Sequence, residues 1–190
     1  MPGDERWTSS TSIWAELEVD DLSRLVALEE IRGLAQRYAL AADGKDLEAM
    51  AALFVPDVDN GRYGPGREGV KRFYDQSLRK FHCSVHLVAN HVIDFDGDDH
   101  ASGVVYCDAR HHLLDPEHWF DEALAYFDTY ERVESEWLFR RRRLRSWYRQ
   151  DVGHPDHGTE RIVPAIEASG PKRGVRMPEA FPTFEAFWAD

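Results

Sequence analysis

The stretch FHCSVHLVANHVIDFDGDD, residues 81–99, carries three of the nine histidines of the chain: His82, His86 and His91. Histidine has an unperturbed pKa of about 6.5, so it can gain and lose a proton near neutral pH. A histidine in a pocket is therefore a candidate general base. A carboxylate that hydrogen-bonds one ring nitrogen would fix the tautomer and stabilise the protonated ring. The first question is which of these histidines has such a partner.

The spacing of the histidines argues against a metal site. His82 and His86 are four residues apart, but on a strand they would lie ~13 Å apart at ~3.3 Å per residue. His111 and His112 are adjacent and would point to opposite faces of a strand. The sequence contains no H-E-x-x-H, G-x-S-x-G or C-x-x-C motif. We therefore expect no metal and no cofactor, and we interpret His82, His91 and His112 as structural or surface residues.

Two glycine-containing segments imitate ligand-binding loops. YGPGREG, residues 63–69, lacks the Lys-Ser/Thr pair of a phosphate-binding loop and instead predicts a turn into a helix. DFDGDD, residues 94–99, resembles the start of a calcium loop, but its glycine comes too early and position twelve is Val105 instead of glutamate. It predicts a hairpin turn.

Composition excludes several classes of partner. The 190 residues include 35 acidic and 23 basic side chains, a net charge of −12. Such a chain is poorly suited to nucleic acid or to an anionic membrane surface, both of which attract Lys and Arg. No apolar run is long enough to span a membrane, and the N-terminus lacks the apolar core of a signal peptide. Two cysteines, Cys83 and Cys107, suit a reducing compartment, so we expect a cytoplasmic protein.

A long first helix is predicted over residues 21–43, with Asp21 at its start and Gly44 as the residue after its C-terminus. Its apolar side chains recur at helical spacing: Leu25, Leu28, Ile31, Leu34, Ala35, Tyr38 and Ala42.

Two shorter helices follow. Asp46 begins LEAMAALF, which Pro56 ends. REGVKRFYDQSLRK, residues 67–80, is the third helix, and DVDNGRY, residues 57–63, reads as a short strand before it.

After residue 80 the hydrophobic period changes from 3.6 to 2, which predicts strands. The four segments are HLVANHVIDF (86–95), ASGVVYCDARHHLL (101–114), ALAYFDTYERVE (123–134) and WLFRRRRLRSWYRQ (137–150), with DPEHWFDE (115–122) among the connections. Three helices followed by a strand meander predict an α+β fold in which the helices cover one face of a curved antiparallel sheet.

The arginine-rich segment FRRRRLR, residues 139–145, resembles a nucleic-acid patch. As a strand it alternates, with Arg140 and Arg142 on one face and the other arginines on the opposite face. The neighbouring strand offers Asp128, Glu131 and Glu134. We interpret the set as cross-strand ion pairs.

The chain divides into three parts. Residues 1–20 predict an N-terminal arm, residues 21–150 the folded domain, and residues 151–190 an extended C-terminal arm. Aromatic residues near the end of that arm predict that it docks on its own domain or on a neighbouring subunit: Phe181, Phe184, Phe187 and Trp188. Both faces of the strands carry apolar side chains, so the outer face also needs a cover, most simply another copy of the chain.

The order of these elements resembles the SnoaL-like branch of the nuclear transport factor 2-like superfamily. The resemblance covers about residues 25–150 and rests on ALEEIRGLAQRYALAADGKDLEAMAALFVPDV, YGPGREGVKRFY, HCSVHLVANHVIDFDGDDHASGVVY and EWLFRRRRLRSWY. It implies a cone-shaped α+β barrel: a curved antiparallel sheet around a deep pocket, closed by three N-terminal helices. The branch contains dehydratases and a dehydrochlorinase, together with members that only bind or have no known activity.

The resemblance also implies site residues. Its members share an Asp at the end of the first helix and a His on the first long strand, which match Asp43 and His86. Family positions for a Tyr before that Asp and an Arg on the last strand match Tyr38 and Arg142. Three further matches imply substrate contacts: Asn90, four residues after His86, Asp108 and His111. Asp108 and His111 have opposite strand parity, so both face the pocket only if a bulge intervenes.

These residues permit elimination without a cofactor. An Asp43–His86 dyad would remove a proton, Tyr38 could donate one, and Arg142 could hold developing negative charge. We expect a dehydratase-like lyase that acts on a small hydrophobic hydroxylated or carbonyl compound, steroid-like or polyketide-like. A ketosteroid-isomerase-like isomerase and a non-catalytic protein that binds a lipophilic ligand remain alternatives. We expect a homo-oligomer, either a trimer or a dimer.

Overall fold

The computed structural model describes residues 19–153, 178 and 181–189. The predicted N-terminal arm and most of the predicted C-terminal arm therefore lie outside the described residues. The helices are α1 (Val19–Asp43), α2 (Leu47–Ala52), a 3-10 turn (Gly61–Tyr63), α3 (Gly66–Leu78) and α4 (Pro182–Trp188). None of the helices in the described ranges is long and apolar enough to cross a membrane.

Four strands form one antiparallel meander in the order β1-β2-β3-β4. They are β1 (Phe81–Phe95), β2 (His100–Leu114), β3 (Glu117–Val133) and β4 (Glu136–Gly153). The DFDGDD segment connects β1 to β2, as predicted. The sequence predicted that β3 begins at Ala123, but it begins six residues earlier, at Glu117. Most of DPEHWFDE is part of the strand and pairs with β2, for example through Trp119 and Phe120. The sheet is curved and carries the helices on one face, which confirms the predicted α+β cone.

The core lies between the helices and the inner face of this sheet. Alternate residues of β2 and β3 point toward it, including Val105, Leu124 and Tyr130, all at most 2% exposed. The helices contribute most of the remaining buried side chains: Ile31, Leu34, Ala35, Tyr38, Met50, Phe54, Val55 and Val70. The apolar side chains of α1 are buried only from Ile31 onward, and Leu25, predicted to be in the core, is exposed. Full burial of α1 therefore begins in its second half, although Arg24 in the first half already lies 4.7 Å from the ring centroid of Phe95 on β1.

Three local predictions around the helices had different outcomes. The Asp46 carboxylate accepts a hydrogen bond from the Ala49 backbone N–H, which confirms the predicted cap of α2. The predicted strand at residues 57–63 is wrong, because this segment contains a 3-10 turn and an isolated bridge from Asp59. At the end of α1 the left-handed backbone conformation belongs to Lys45, with φ of 53°, and not to Gly44.

A β-bulge in β1 decides which of its residues face the core. β1 has one more residue than β2 between Val88 and His91. The extra residue reverses the alternation, because side chains switch faces at every step along a strand. His91 consequently turns inward, while Asn90 and Val92 are exposed on the outer face. Asn90, matched by the resemblance to a substrate contact four residues after His86, therefore does not share a face with His86.

Two of the predicted cross-strand ion pairs form. Arg140 contacts Glu131 with an Nε–Oε2 distance of 2.7 Å, and Arg142 contacts Asp128. Glu134, expected in the same row, lies in the β3–β4 turn with φ of 59°. Two arginines of this strand, Arg140 and Arg142, are therefore paired with carboxylates of β3.

Candidate active site

Asp43 and His86 meet where the end of α1 contacts β1. Oδ1 of Asp43 lies 2.6 Å from Nδ1 of His86, and Oδ2 accepts a hydrogen bond of 3.0 Å from the His86 backbone N–H. The side chains are 15% and 9% exposed. A carboxylate accepts hydrogen bonds, so the neutral ring carries its proton on Nδ1 and keeps a lone pair on Nε2. This is the tautomer that a general base needs.

His86 lies at the wall of a cavity of about 210 Å³ between α1, α3 and the inner face of the sheet. Leu78, Phe81, Leu124 and Leu144 supply apolar wall. Its polar lining is drawn from six separate elements, α1, α3 and all four strands: Tyr38, Tyr74, Ser84, His86, His111, Tyr126 and Arg142. The cavity thus combines an apolar wall with a few polar groups that face one another, which is the usual composition of a small-molecule site.

His111 is a second histidine in this cavity. Its Nδ1 lies 2.8 Å from the Ser84 hydroxyl oxygen, and its ring centroid lies 5.4 Å from that of His86. Burial lowers the pKa of His111 to about 3, with further lowering from His86 and Arg149. The ring is therefore neutral near pH 7. It is suited to hydrogen bonding with a bound molecule and not to holding a charge.

Arg142 places a buried positive charge beside the cavity. Its Nε and Nη2 donate to the Asp128 carboxylate at 3.1 and 3.0 Å, and its side chain is 3% exposed. The guanidinium carbon lies 4.2 Å from the ring centroid of Tyr38 and 3.9 Å from that of Tyr126. Burial lowers the pKa of Arg142, but Asp128 and the tyrosines raise it by more, and the net shift is upward. Nη1 is buried and has no hydrogen-bond partner in the described part of the chain.

A hydrogen-bonded chain on the inner face of the sheet supports Asp128. The Tyr130 hydroxyl donates to Asp128 at 3.1 Å and lies 2.9 Å from Nε2 of His91. Tyr130 gives its single proton to Asp128, so His91 must donate from Nε2. Burial lowers the pKa of His91 to about 4, with Arg142 and Arg32 adding to the decrease. His91 is therefore a neutral, structural member of the arrangement that orients Arg142.

Tyr38 belongs to an aromatic cluster with Tyr74 and Tyr126, at centroid distances of 5.7 and 5.6 Å. Burial raises the pKa of Tyr38, although Arg142 lowers it. The phenol is therefore protonated at neutral pH. It can donate a hydrogen bond from the same side of the cavity as Arg142.

The structure separates the seven predicted site residues into two groups. Asp43 contacts His86, and the cavity is lined by His86, Tyr38, His111 and Arg142. Asn90 and Asp108 are exposed on the outer face instead. The bulge in β1 moves Asn90 there, and the regular alternation of β2 turns Asp108 outward as it turns His111 inward. Of these two residues with opposite strand parity, His111 therefore faces the cavity and Asp108 faces outward.

Sequence reasoning missed Ser84, Tyr126 and the role of Asp128. Ser84 fell outside the strand predicted from His86, but β1 begins at Phe81, and strand alternation then places Ser84 on the same face as His86. Tyr126 and Asp128 similarly share a face of β3. Their closeness to Arg142 depends on strand register, which sequence periodicity does not specify.

Solved structures with a similar fold include enzymes. A provisionally assigned scytalone dehydratase from Novosphingobium aromaticivorans DSM 12444 is 26% identical, with a TM-score of 0.60 over 72% of this chain and 97% of that chain. A structure of LinA is 24% identical, with a TM-score of 0.65 over 70% of this chain and 95% of that chain. The hexachlorocyclohexane dehydrochlorinase LinA-type3 from Novosphingobium barchaimii LL02 is 22% identical, with a TM-score of 0.63 over 70% and 94% of the two chains.

Among curated proteins, none matches this sequence. The family model of the SnoaL-like domain, in contrast, matches residues 23–143, which run from the first turns of α1 to the first part of β4. The matched residues contain Asp43, His86, His111 and Arg142. The chain therefore belongs to the SnoaL-like domain family, within the nuclear transport factor 2-like superfamily.

Proposed function

We propose that the protein is a cofactor-independent lyase that removes water from a small hydrophobic compound. The contact between Asp43 and His86 at the wall of a cavity of about 210 Å³ carries this proposal. His86 takes a proton from a carbon next to a carbonyl through Nε2, and Asp43 stabilises the resulting imidazolium. Both side chains are largely buried, so this charge pair is stronger than it would be in solution.

The remaining residues act on the leaving group. As the carbon–hydrogen electrons form the new double bond, the bond from the neighbouring carbon to its hydroxyl oxygen breaks. The hydroxide leaves as water with the proton taken up by His86, so the ring returns to its starting state. Arg142 and the Tyr38 hydroxyl stabilise the negative charge that develops on oxygen, and His111 hydrogen-bonds the substrate.

The size of the cavity favours a compound of one or two rings. Its volume of about 210 Å³ lies below the range of about 300–1,000 Å³ that is usual for drug-sized ligands. A four-ring steroid would need the walls to move. We therefore favour a polyketide-like, hydroxylated bicyclic ketone over a steroid-like substrate.

Two other functions use the same cavity. An isomerase would return the proton from His86 to a different carbon and would keep the hydroxyl group on its substrate. A protein that only binds would form a complex without product. The similarity to proteins named as a scytalone dehydratase and as a dehydrochlorinase supports elimination, because both reactions form a double bond as a group leaves.

A panel of bicyclic β-hydroxyketones tests this proposal, because their dehydration produces conjugated products that absorb in the near ultraviolet. We expect the wild-type protein to form such a product and His86→Gln to lose the activity. Asn90→Ala, on the outer face of the same strand, is the matched control and should retain it. Full activity of His86→Gln would refute the dyad, and a product of unchanged mass would favour isomerisation.

We further propose that the outer face of the sheet binds a second copy of the chain. This face carries an apolar groove of about 660 Å³. Its large side chains are unusually open to solvent: Val92 is 47% exposed, Tyr106 43% and Phe127 50%. Monomeric proteins rarely leave such patches uncovered.

Charge on the outer face suits self-association. Arg143 and Arg145 are exposed on β4 at one side, and Asp94 and Asp108 are exposed on β1 and β2 at the other. The basic side of one copy can therefore meet the acidic side of another in a dimer or a closed trimer. We place this assembly in the cytoplasm, where buried thiols such as Cys83 and Cys107 stay reduced.

A further inference from the structure

Lys45 is a buried lysine two residues after Asp43. It is 3% exposed and has φ of 53°. Lysine is among the residues least often buried, and a left-handed backbone is uncommon outside glycine. Such a residue persists only where its surroundings hold it firmly, and it is a reason to look for a role.

The Lys45 ammonium joins three elements. Nζ donates to the backbone carbonyl of Leu78 at 3.0 Å and to that of Phe81 at 2.8 Å. Leu78 is the last residue of α3, where the carbonyl end of the helix favours a cation. Phe81 is the first residue of β1. A single side chain therefore ties the turn after α1 to the end of α3 and to the start of β1.

Helix α4 packs over this lysine. Nζ lies 4.9 Å from the ring centroids of both Phe187 and Trp188. Aromatic faces stabilise a cation that has lost its water. The burial that these contacts create lowers the pKa of Lys45 to about 8, with Arg79 adding to the decrease, while Cys83 and Asp43 oppose it. The side chain is still mostly protonated at neutral pH.

α4 also contacts the turn itself. The Thr183 hydroxyl donates to the Gly44 carbonyl. A side chain at Gly44 would place its Cβ 2.9 Å from Cδ1 of Phe181, so only glycine allows this approach. Close packing therefore requires glycine at position 44, while Lys45 takes the left-handed conformation that would suit a glycine.

Residues 43–45 hold β1 at two points. Asp43 binds the backbone and ring of His86, and Lys45 binds the carbonyl of Phe81, five residues earlier on the same strand. The separation of the two anchor points on β1 is set by the strand, and the separation of Asp43 from Lys45 is set by the turn. A shift of the α1 end along β1 would therefore have to break both contacts.

We infer that Lys45 is a positioning residue that holds Asp43 in register with His86, and that α4 is the cover that keeps Lys45 in place. The inference rests on the proposed function only for its effect on turnover. α4 then supports the dyad through its contacts with Lys45 and does not itself line the cavity. Residues 182–188 thereby become part of the structure that orients the catalytic carboxylate.

Lys45→Met tests the positioning role, with Lys45→Arg as the conservative variant and Lys80→Met as the matched control. Lys80 is exposed and lies one residue before Phe81, so its replacement removes the same charge nearby. The main readout is the low-field proton NMR signal of the His86 Nδ1–H bonded to Asp43. We expect Lys45→Met to shift or broaden this signal and to lower kcat about 10- to 100-fold with a smaller change in KM. Lys45→Arg should restore most of both, and Lys80→Met should change neither.

Phe187→Leu and Thr183→Val give a second test that leaves the lysine present. Each removes one contact of α4, so each should move the same NMR signal in the same direction by less. If Lys45→Met lowers the melting temperature but leaves the signal and kcat unchanged, the residue is only structural and the inference is wrong. An unmoved signal in both α4 variants would equally overturn the role of the helix. The NMR result does not depend on turnover, so the inference can fail while the proposed lyase stands, or the reverse.

Discussion

Both carboxylate oxygens of Asp43 bind one residue, His86: Oδ1 meets the ring Nδ1 at 2.6 Å and Oδ2 accepts from the backbone N–H at 3.0 Å. The backbone contact orients the carboxylate independently of the ring. The ring is then held between its own strand and the end of α1. This arrangement defines the tautomer and the direction of Nε2 before any substrate binds, which is how preorganised catalytic groups avoid the cost of reordering during reaction.

Asp43→Asn should reduce turnover far more than it reduces stability. The amide can still accept from the His86 backbone, but it no longer stabilises the imidazolium and it permits the wrong ring tautomer. We expect kcat to fall by about 10²–10⁴-fold. Asp108→Asn removes a carboxylate from the outer face and should retain activity. Equal activity of Asp43→Asn and Asp108→Asn in the dehydration assay would contradict the dyad.

Tyr38→Phe tests the contribution of the Tyr38 hydroxyl separately from that of its aromatic ring. The phenylalanine keeps the aromatic face over Arg142 and loses the hydroxyl, which hydrogen-bonds Tyr74 and Tyr126 and is the proposed proton donor to the leaving group. We expect a lower kcat with a melting temperature close to that of the wild type. Tyr63→Phe, a surface tyrosine bonded to Gln76, provides the control for loss of a hydroxyl. Unaltered kinetics in Tyr38→Phe would assign Tyr38 to packing alone.

Arg142→Met should destabilise the fold by about 3–5 kcal/mol, because it leaves the Asp128 carboxylate buried without its partner. The double variant Arg142→Met, Asp128→Leu removes both charges and should be more stable than the single variant. Urea denaturation of the wild type and the two variants measures both differences. If the double variant is the less stable of the two, the buried charge of Asp128 is not the source of the cost.

Acid should destabilise the protein through His111 and His91. Their folded-state pKa values, about 3 and about 4, lie below the unfolded value of about 6.5. Between these limits the unfolded chain binds protons that the folded chain does not, so stability is full above about pH 6.5 and decreases as pH falls toward 3. His111 alone contributes a slope of up to about 1.4 kcal/mol per pH unit in this window. His111→Gln should therefore flatten the pH dependence of the free energy of unfolding, and an identical slope in this variant would contradict the assignment.

Phe127→Asp should dissociate the proposed assembly, because it places a charge in the centre of the outer groove. Analytical ultracentrifugation should give a smaller species for this variant than for the wild type. Thr129→Asp, exposed two residues further along the same face of β3, is the control and should leave the mass unchanged. A monomeric wild-type protein would refute self-association through this face without affecting the proposed chemistry.

Local sequence determined most of the elements of this protein. The periodicity of α1, the cap at Asp46, the change to period 2 after residue 80 and the hairpin at residues 94–99 all depend on neighbouring residues, and each is present in the structure. The even alternation of β2 also placed His111 and Asp108 on opposite faces. Family resemblance then pointed to Asp43 and His86 as a pair, although 43 residues separate them.

Tertiary structure alone decided the rest. The bulge before His91 sends Asn90 outward, because one inserted residue reverses strand parity and no local signal marks it. The contacts of Arg142 with Tyr126 and with Asp128 arise from strand register. Lys45 becomes buried only because α3, β1 and α4 converge on it. Contacts between elements that are distant in sequence are set by packing of the whole core, which periodicity along a single element does not encode.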